Sequence, residues 1–88
     1  MEFERPVLVI KRFNKDMVWI LPVTSQDKTS LFYEKFDFQG VNNYVALSQI
    51  RTVSTKRFLR KVGIVKKGEL KRIVEKVITF LITNEDPR

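Results

Sequence analysis

The sequence predicts a small, mainly β protein in which a strongly curved antiparallel sheet, closing toward a barrel, carries one C-terminal amphipathic helix against it. Three observations lead there. The chain has 88 residues, too few to divide a hydrophobic core between two domains, so residues 1–88 are expected to form one domain. Four or five short apolar or alternating runs, separated by polar turns, occupy the chain up to about Val65. The last part changes to a period of 3.6.

Pro6-Val7-Leu8-Val9-Ile10 is β-branched and uninterrupted, which predicts a strand covered on both faces and ending near Phe13. Asn14-Lys15-Asp16 is a turn-prone triplet, so Met17-Val18-Trp19-Ile20-Leu21 is expected to return antiparallel to the first run. Pro22 stands where that strand should be ending, and Thr24 to Ser30 is polar without a period, hence an exposed loop. From Phe32 the period is two, with Phe32, Glu34, Phe36 and Phe38 on one face and Tyr33, Lys35 and Asp37 on the other. Glu34 is the misfit, and it implies that part of the inner face reaches solvent. Gln39 to Asn43 reads as a turn, and Tyr44 to Val53 as a further strand interrupted by a bulge. Ser54-Thr55-Lys56-Arg57 is too polar to continue it, and Phe58 to Val65 is expected to form a last short strand broken at Gly63.

Leu70, Ile73, Val74, Val77, Ile78 and Leu81 recur at helical spacing and predict one amphipathic helix, with Lys71, Arg72, Glu75, Lys76 and Thr79 on its other side. Asn84-Glu85-Asp86-Pro87 supplies the stop. The apolar stripe is expected to serve the core or a dimer contact.

Composition narrows the chemistry. Cysteine and histidine are both absent, which excludes disulfides, thiolate and imidazole metal sites, thiol catalysis and the Ser-His-Asp triad. The reducing cytoplasm is the expected compartment. Gly40, Gly63 and Gly68 are far apart and form no phosphate loop, and the scattered carboxylates give no metal pair. No cofactor or metal is expected. No apolar run approaches the roughly 18 residues that span a bilayer, and no membrane partner is expected. What remains is hydroxyl, amide, carboxylate and arginine chemistry, an inventory able to handle a phosphodiester without metal.

Lys and Arg number 17 against 10 Asp and Glu, a net charge of +7. Much of the excess lies between Arg51 and Lys76, opposed there only by Glu69 and Glu75. The stretch is either a solvated face or a surface that meets nucleic-acid phosphates. Trp19, Tyr33 and Tyr44 are likewise open between base stacking and core packing.

Three ordered blocks resemble the PemK/MazF toxin family: Arg5-Pro6-Val7-Leu8-Val9-Ile10, Leu21-Pro22-Val23-Thr24-Ser25, and Leu47-Ser48-Gln49-Ile50-Arg51-Thr52-Val53. The ending, Lys56-Arg57-Phe58-Leu59 through Lys61-Val62-Gly63 into the helix, is also similar, so the resemblance runs from about Phe3 to about Leu81. It implies an SH3-like barrel. It also implies a type II toxin that cuts single-stranded RNA at short sequences without metal, works as a homodimer and is neutralised by a cognate antitoxin. By the same resemblance Arg5 and Thr24 carry catalysis, while Ser25, Ser48, Gln49 and Arg51 are expected to contact RNA. In that chemistry Arg5 supplies charge and forked donors to the phosphoryl oxygens, and Thr24 fixes one of them through its hydroxyl.

Each residue has a plainer account. Arg5 can be an ordinary charged strand start, Thr24 and Ser25 strand-end turn formers, and Arg51 a surface ion-pair partner. Two departures from the family pattern bear on catalysis: its aromatic first strand and glycine-containing loop are not seen before Arg5, and Ser48 stands where many members place an acid. The group that takes the 2′-proton is left open between a carboxylate and a perturbed arginine. A non-catalytic module that binds RNA or an antitoxin on the same scaffold is the alternative.

Overall fold

A computed structural model of the chain describes residues 6–58 and 65–83. Among them, five strands form one antiparallel sheet: β1 (Val7–Arg12), β2 (Met17–Thr24), β3 (Tyr33–Phe38), β4 (Val41–Ala46) and β5 (Arg51–Ser54). A 3₁₀ turn (Thr55–Arg57) follows, and the helix α1 (Lys67–Ile82) closes the order. The sheet runs β1-β2-β4-β3, with β5 also on β2, and curls into a half-barrel with α1 against one face. The expected strand over Phe58 to Val65 falls largely on residues 59–64, outside the described residues, as does the stop after Thr83.

The β1–β2 hairpin forms where the turn residues call for it. The Asn14 side-chain oxygen accepts the N–H groups of Asp16 and Met17, and the Phe13 N–H donates to the Met17 carbonyl, 3.0 Å away. Contrary to the reading of a strand covered on both faces, β1 is half-exposed. Leu8 alone is buried, and β1 is an edge strand among the described strands, paired only with β2 and carrying a bulge between Val9 and Lys11.

β2 is the central strand, and its two faces feed two apolar clusters. Leu21 and Val23 point toward Leu8, Phe36, Val45 and Leu47 and the helix residues Ile73 and Val77. Val18 and Ile20 point the other way, toward Val53, Val7 and Phe58. The strand runs through Pro22 to Thr24. The Val23 N–H donates to the Pro6 carbonyl on the β1 side, so the position of the missing Pro22 N–H faces the opposite edge. On that edge β5 pairs as far as Ile20 and β4 begins at Val23. The proline therefore sits at a gap in the ladder, where no donor is required.

The same gap divides the single strand expected over Tyr44 to Val53 into β4 and β5. Continuing the β4 register would set Ile50 against Val18, yet Val53 stands there, so three residues are looped out. Leu47 to Ile50 makes that turn, with the Gln49 N–H donating to the Ala46 carbonyl.

The turn expected over Gln39 to Asn43 is only two residues long. Phe38 pairs with Val41, and Gln39 (φ 54) and Gly40 (φ 81) both take positive φ, as a type I′ turn requires. Nothing stands within 4 Å of a Cβ built on Gly40, so Gly40→Ala should cost only backbone strain, about 1–2 kcal/mol. Gln39→Asn should move the urea midpoint the opposite way, since asparagine tolerates this region better. Equal, unshifted midpoints for both variants would reject the turn geometry.

The helix also corrects its expected faces. Ile73 and Val77 are buried and Leu70 and Phe80 pack beside them, but Ile78 and Leu81 are exposed. Arg72, assigned above to the solvent side, is half-buried and binds Glu34 on β3, the Lys35 carbonyl (2.8 Å) and Glu69 (2.5 Å). The Glu34 misfit is thus the docking point of the helix, and the inner face there meets a guanidinium.

Candidate functional site

The candidate site is built at the end of β2. Thr24 is half-buried, and its hydroxyl oxygen accepts the Gln26 N–H at 3.2 Å. This is the turn-forming use of a strand-end threonine, and it fixes the side chain while leaving the hydroxyl hydrogen to donate elsewhere. Ser25 is exposed beside it. Thr24 pairs with Tyr44 on β4, and Tyr44 pairs with Lys35 on β3, so the three side chains stand in one row on one sheet face.

Asp27 joins the row from the loop. Its carboxylate accepts the Tyr44 hydroxyl, which together with desolvation and the carboxylate charge holds the phenol above its ordinary value of 10. Neither Asp27 nor Lys35 stands in a motif that marks it in the sequence. Asp27 read as part of a featureless loop, and only the Thr24–Tyr44 register reveals that it reaches the strand end. A tyrosine favoured as neutral in the fold stabilises it below pH 10, and that contribution is lost as pH rises through the raised value. In a Tyr33→Phe background, phenolate absorbance should therefore titrate above 10, and Asp27→Asn should bring it back toward 10. An unchanged titration would break the pair.

The other expected RNA contacts are distributed along the same edge of β2. Ser48 and Gln49 are exposed in the turn between β4 and β5. Arg51 is exposed on β5 opposite Ile20, on the Thr24 face but four positions along the strand, about 13 Å away. Arg5 lies outside the described residues; its neighbour Pro6 is hydrogen-bonded to Val23, the residue before Thr24. Tyr33 is half-buried with the Lys28 ammonium 5.6 Å from its ring, and Trp19 lies at the far end of β2.

Among the described residues, no group of three or more His, Cys, Asp or Glu side chains gathers as a metal site. No helix there is long and apolar enough to cross a membrane.

Residues 1–81 match the model of a protein family described as the PemK-like, MazF-like toxin of type II toxin–antitoxin systems. No curated protein matches the chain.

Proposed function

The chain belongs to the PemK-like, MazF-like toxins of type II toxin–antitoxin systems, and from that premise we propose that it is a metal-independent endoribonuclease acting on single-stranded RNA in the cytoplasm. The observation that carries this reading is the row at the end of β2. It offers a fixed threonine hydroxyl, a tyrosine bonded to a carboxylate and a lysine on one sheet face.

The reaction suits that inventory. The ribose 2′-oxygen attacks the adjacent phosphorus as its proton leaves to a base, the P–O5′ bond breaks, and the departing oxygen takes a proton. The products are a 2′,3′-cyclic phosphate and a 5′-hydroxyl. Negative charge grows on the phosphoryl oxygens, and donors aimed at them supply the stabilisation. Thr24 donates its hydroxyl hydrogen to one of these oxygens, and Arg5, next in the chain before Pro6, provides the forked cationic donor. Asp27 is the carboxylate available to accept the 2′-proton, with Tyr44 holding it in position. Ser25, Ser48, Gln49 and Arg51 bind the flanking nucleotides along the β2 edge.

A type II toxin is paired with an antitoxin protein. We propose further that this chain forms a homodimer through the outer side of α1, where Ile78, Leu81 and Ile82 are exposed.

The test is incubation of the purified protein with a long single-stranded RNA in EDTA, followed by mapping of new 5′ ends. Discrete cuts bearing 5′-hydroxyls are expected. RNA that remains intact while shifting on a gel would overturn catalysis and leave a binding module.

A further inference from the structure

Thr24 occupies one end of β2; the other end is built differently. There the β1–β2 hairpin tip meets the 3₁₀ turn, because the Thr55 N–H donates to the Asp16 carbonyl and the Thr55 hydroxyl to the Lys15 carbonyl, both at 2.9 Å. That junction gathers Lys11, Arg12, Lys15, Lys56 and Arg57, with Asp16 the only acid on the two segments. All six are exposed. Arg12 is held over the tip by its hydrogen bond to the Lys15 carbonyl.

Two large aromatic side chains stand among these cations. Phe13 is 47% exposed and Trp19 38% exposed, and their rings meet at 82° with centroids 5.1 Å apart. In a perpendicular pair one ring turns its edge to the other, so that ring's own faces are not consumed by the contact. The indole N–H of Trp19 donates to the Thr52 hydroxyl at 2.9 Å, which fixes the ring, and Lys11 pairs directly with Trp19 across the strands. Beside them lies an open groove of about 700 Å³, lined in part by Asn14, Asp16, Met17, Thr52 and Ser54.

We propose that this end of the sheet is a second, non-catalytic RNA contact. A base of a single-stranded segment stacks on the Phe13–Trp19 platform, and the neighbouring phosphates are held by Lys11, Lys15 and Lys56. A fixed aromatic surface with cations on the adjoining segments matches single-stranded nucleic acid, because every base offers a flat face and every linkage a negative charge. An acidic protein segment would satisfy the cations but leave the stacking surface unused.

The proposal rests on the ribonuclease reading, and it extends it. Trp19 lies five positions from Thr24 on the opposite face of β2, roughly 17 Å along the strand, so an RNA touching both ends must be several nucleotides long. The platform therefore contributes to the capture of long substrates and not to the chemical step.

The chain has one tryptophan, so its fluorescence reports this end alone. Titration of full-length protein with a single-stranded oligonucleotide carrying 2′-deoxyriboses, which cannot be cut by 2′-oxygen attack, should quench it in a salt-dependent way. Lys11→Glu with Lys15→Glu should weaken that binding by tenfold or more. Trp19→Leu should raise KM for a long RNA by about tenfold and leave kcat, and the cleavage of a short RNA, unchanged.

Cleavage without quenching, and with KM indifferent to Trp19, would overturn the platform while sparing the ribonuclease. Quenching that survives without cleavage would uphold the platform and sink the ribonuclease. Equal quenching by a duplex, or quenching by an acidic peptide in place of the oligonucleotide, would overturn it in favour of a purely electrostatic or a protein-binding surface.

Discussion

Arg5→Ala and Thr24→Val should each abolish cleavage of single-stranded RNA while leaving the fold intact. Thr24→Val keeps the branched shape that suits a strand end and removes one hydroxyl, which gives up the turn bond to Gln26 and the hydrogen donated to the phosphoryl oxygen. The stability cost is that of one exposed side-chain hydrogen bond, about 1 kcal/mol. The catalytic cost is larger, because a donor aimed at developing charge is worth on the order of a hundredfold to a thousandfold in rate. With Arg5 in its proposed role, Arg5→Ala removes a full positive charge and should cost at least as much, with Arg5→Lys recovering only part because a lysine lacks the planar fork. Asp27→Asn provides the third arm. A base that takes the 2′-proton is worth about a hundredfold to ten-thousandfold, whereas a carboxylate that only positions Tyr44 would be matched in effect by Tyr44→Phe. Rates measured under single turnover in EDTA, beside urea midpoints for the same proteins, separate chemistry from folding. Full activity in both Arg5→Ala and Thr24→Val would remove the site from the end of β2.

Local chemistry made part of this architecture legible in the sequence. The first hairpin is readable because Asn14 caps its own turn, and the helix because its period is carried by side chains a few positions apart. What was misread depends on partners far along the chain. The division of β4 from β5 reflects a three-residue slip against β2, and nothing within Tyr44 to Val53 records it. Val41 to Asn43 looked like turn because asparagines are common there, yet the two-residue turn before them leaves these residues to pair with β3. Arg72 looked solvated until Glu34, 38 residues earlier, was placed beneath it. The site divides in the same manner. Thr24 enters the candidate site through its motif, whereas Asp27 and Lys35 join it only when the fold brings Tyr44 between them.

The outer side of α1 supports the remaining large effect. Val74, Ile78, Leu81 and Ile82 follow a helical spacing of their own, displaced from the buried stripe of Ile73 and Val77, and Leu81 and Ile82 are 70% and 78% exposed. Leu31 and Phe32 lie on the other flank of the helix, where Phe32 stacks on Phe80 with centroids 6.2 Å apart, so the stripe stands apart from them. A second copy crossing antiparallel about a two-fold axis would cover this stripe with itself and set each helix N-terminus near the partner's C-terminus, the favourable arrangement of their dipoles. Burying one such leucine or isoleucine is worth roughly 1.5–3 kcal/mol, and two-fold symmetry counts every substitution twice. Leu81→Glu should therefore weaken the dimer by about a hundredfold or more. Because Leu81 lies outside both buried clusters, the far-UV spectrum and the core should be unaffected. Light scattering at micromolar concentration is expected to give a dimer for the unaltered chain and a monomer for Leu81→Glu. A monomeric unaltered chain would refute pairing altogether, and a dimer that survives both Leu81→Glu and Ile78→Glu would move the interface off this helix.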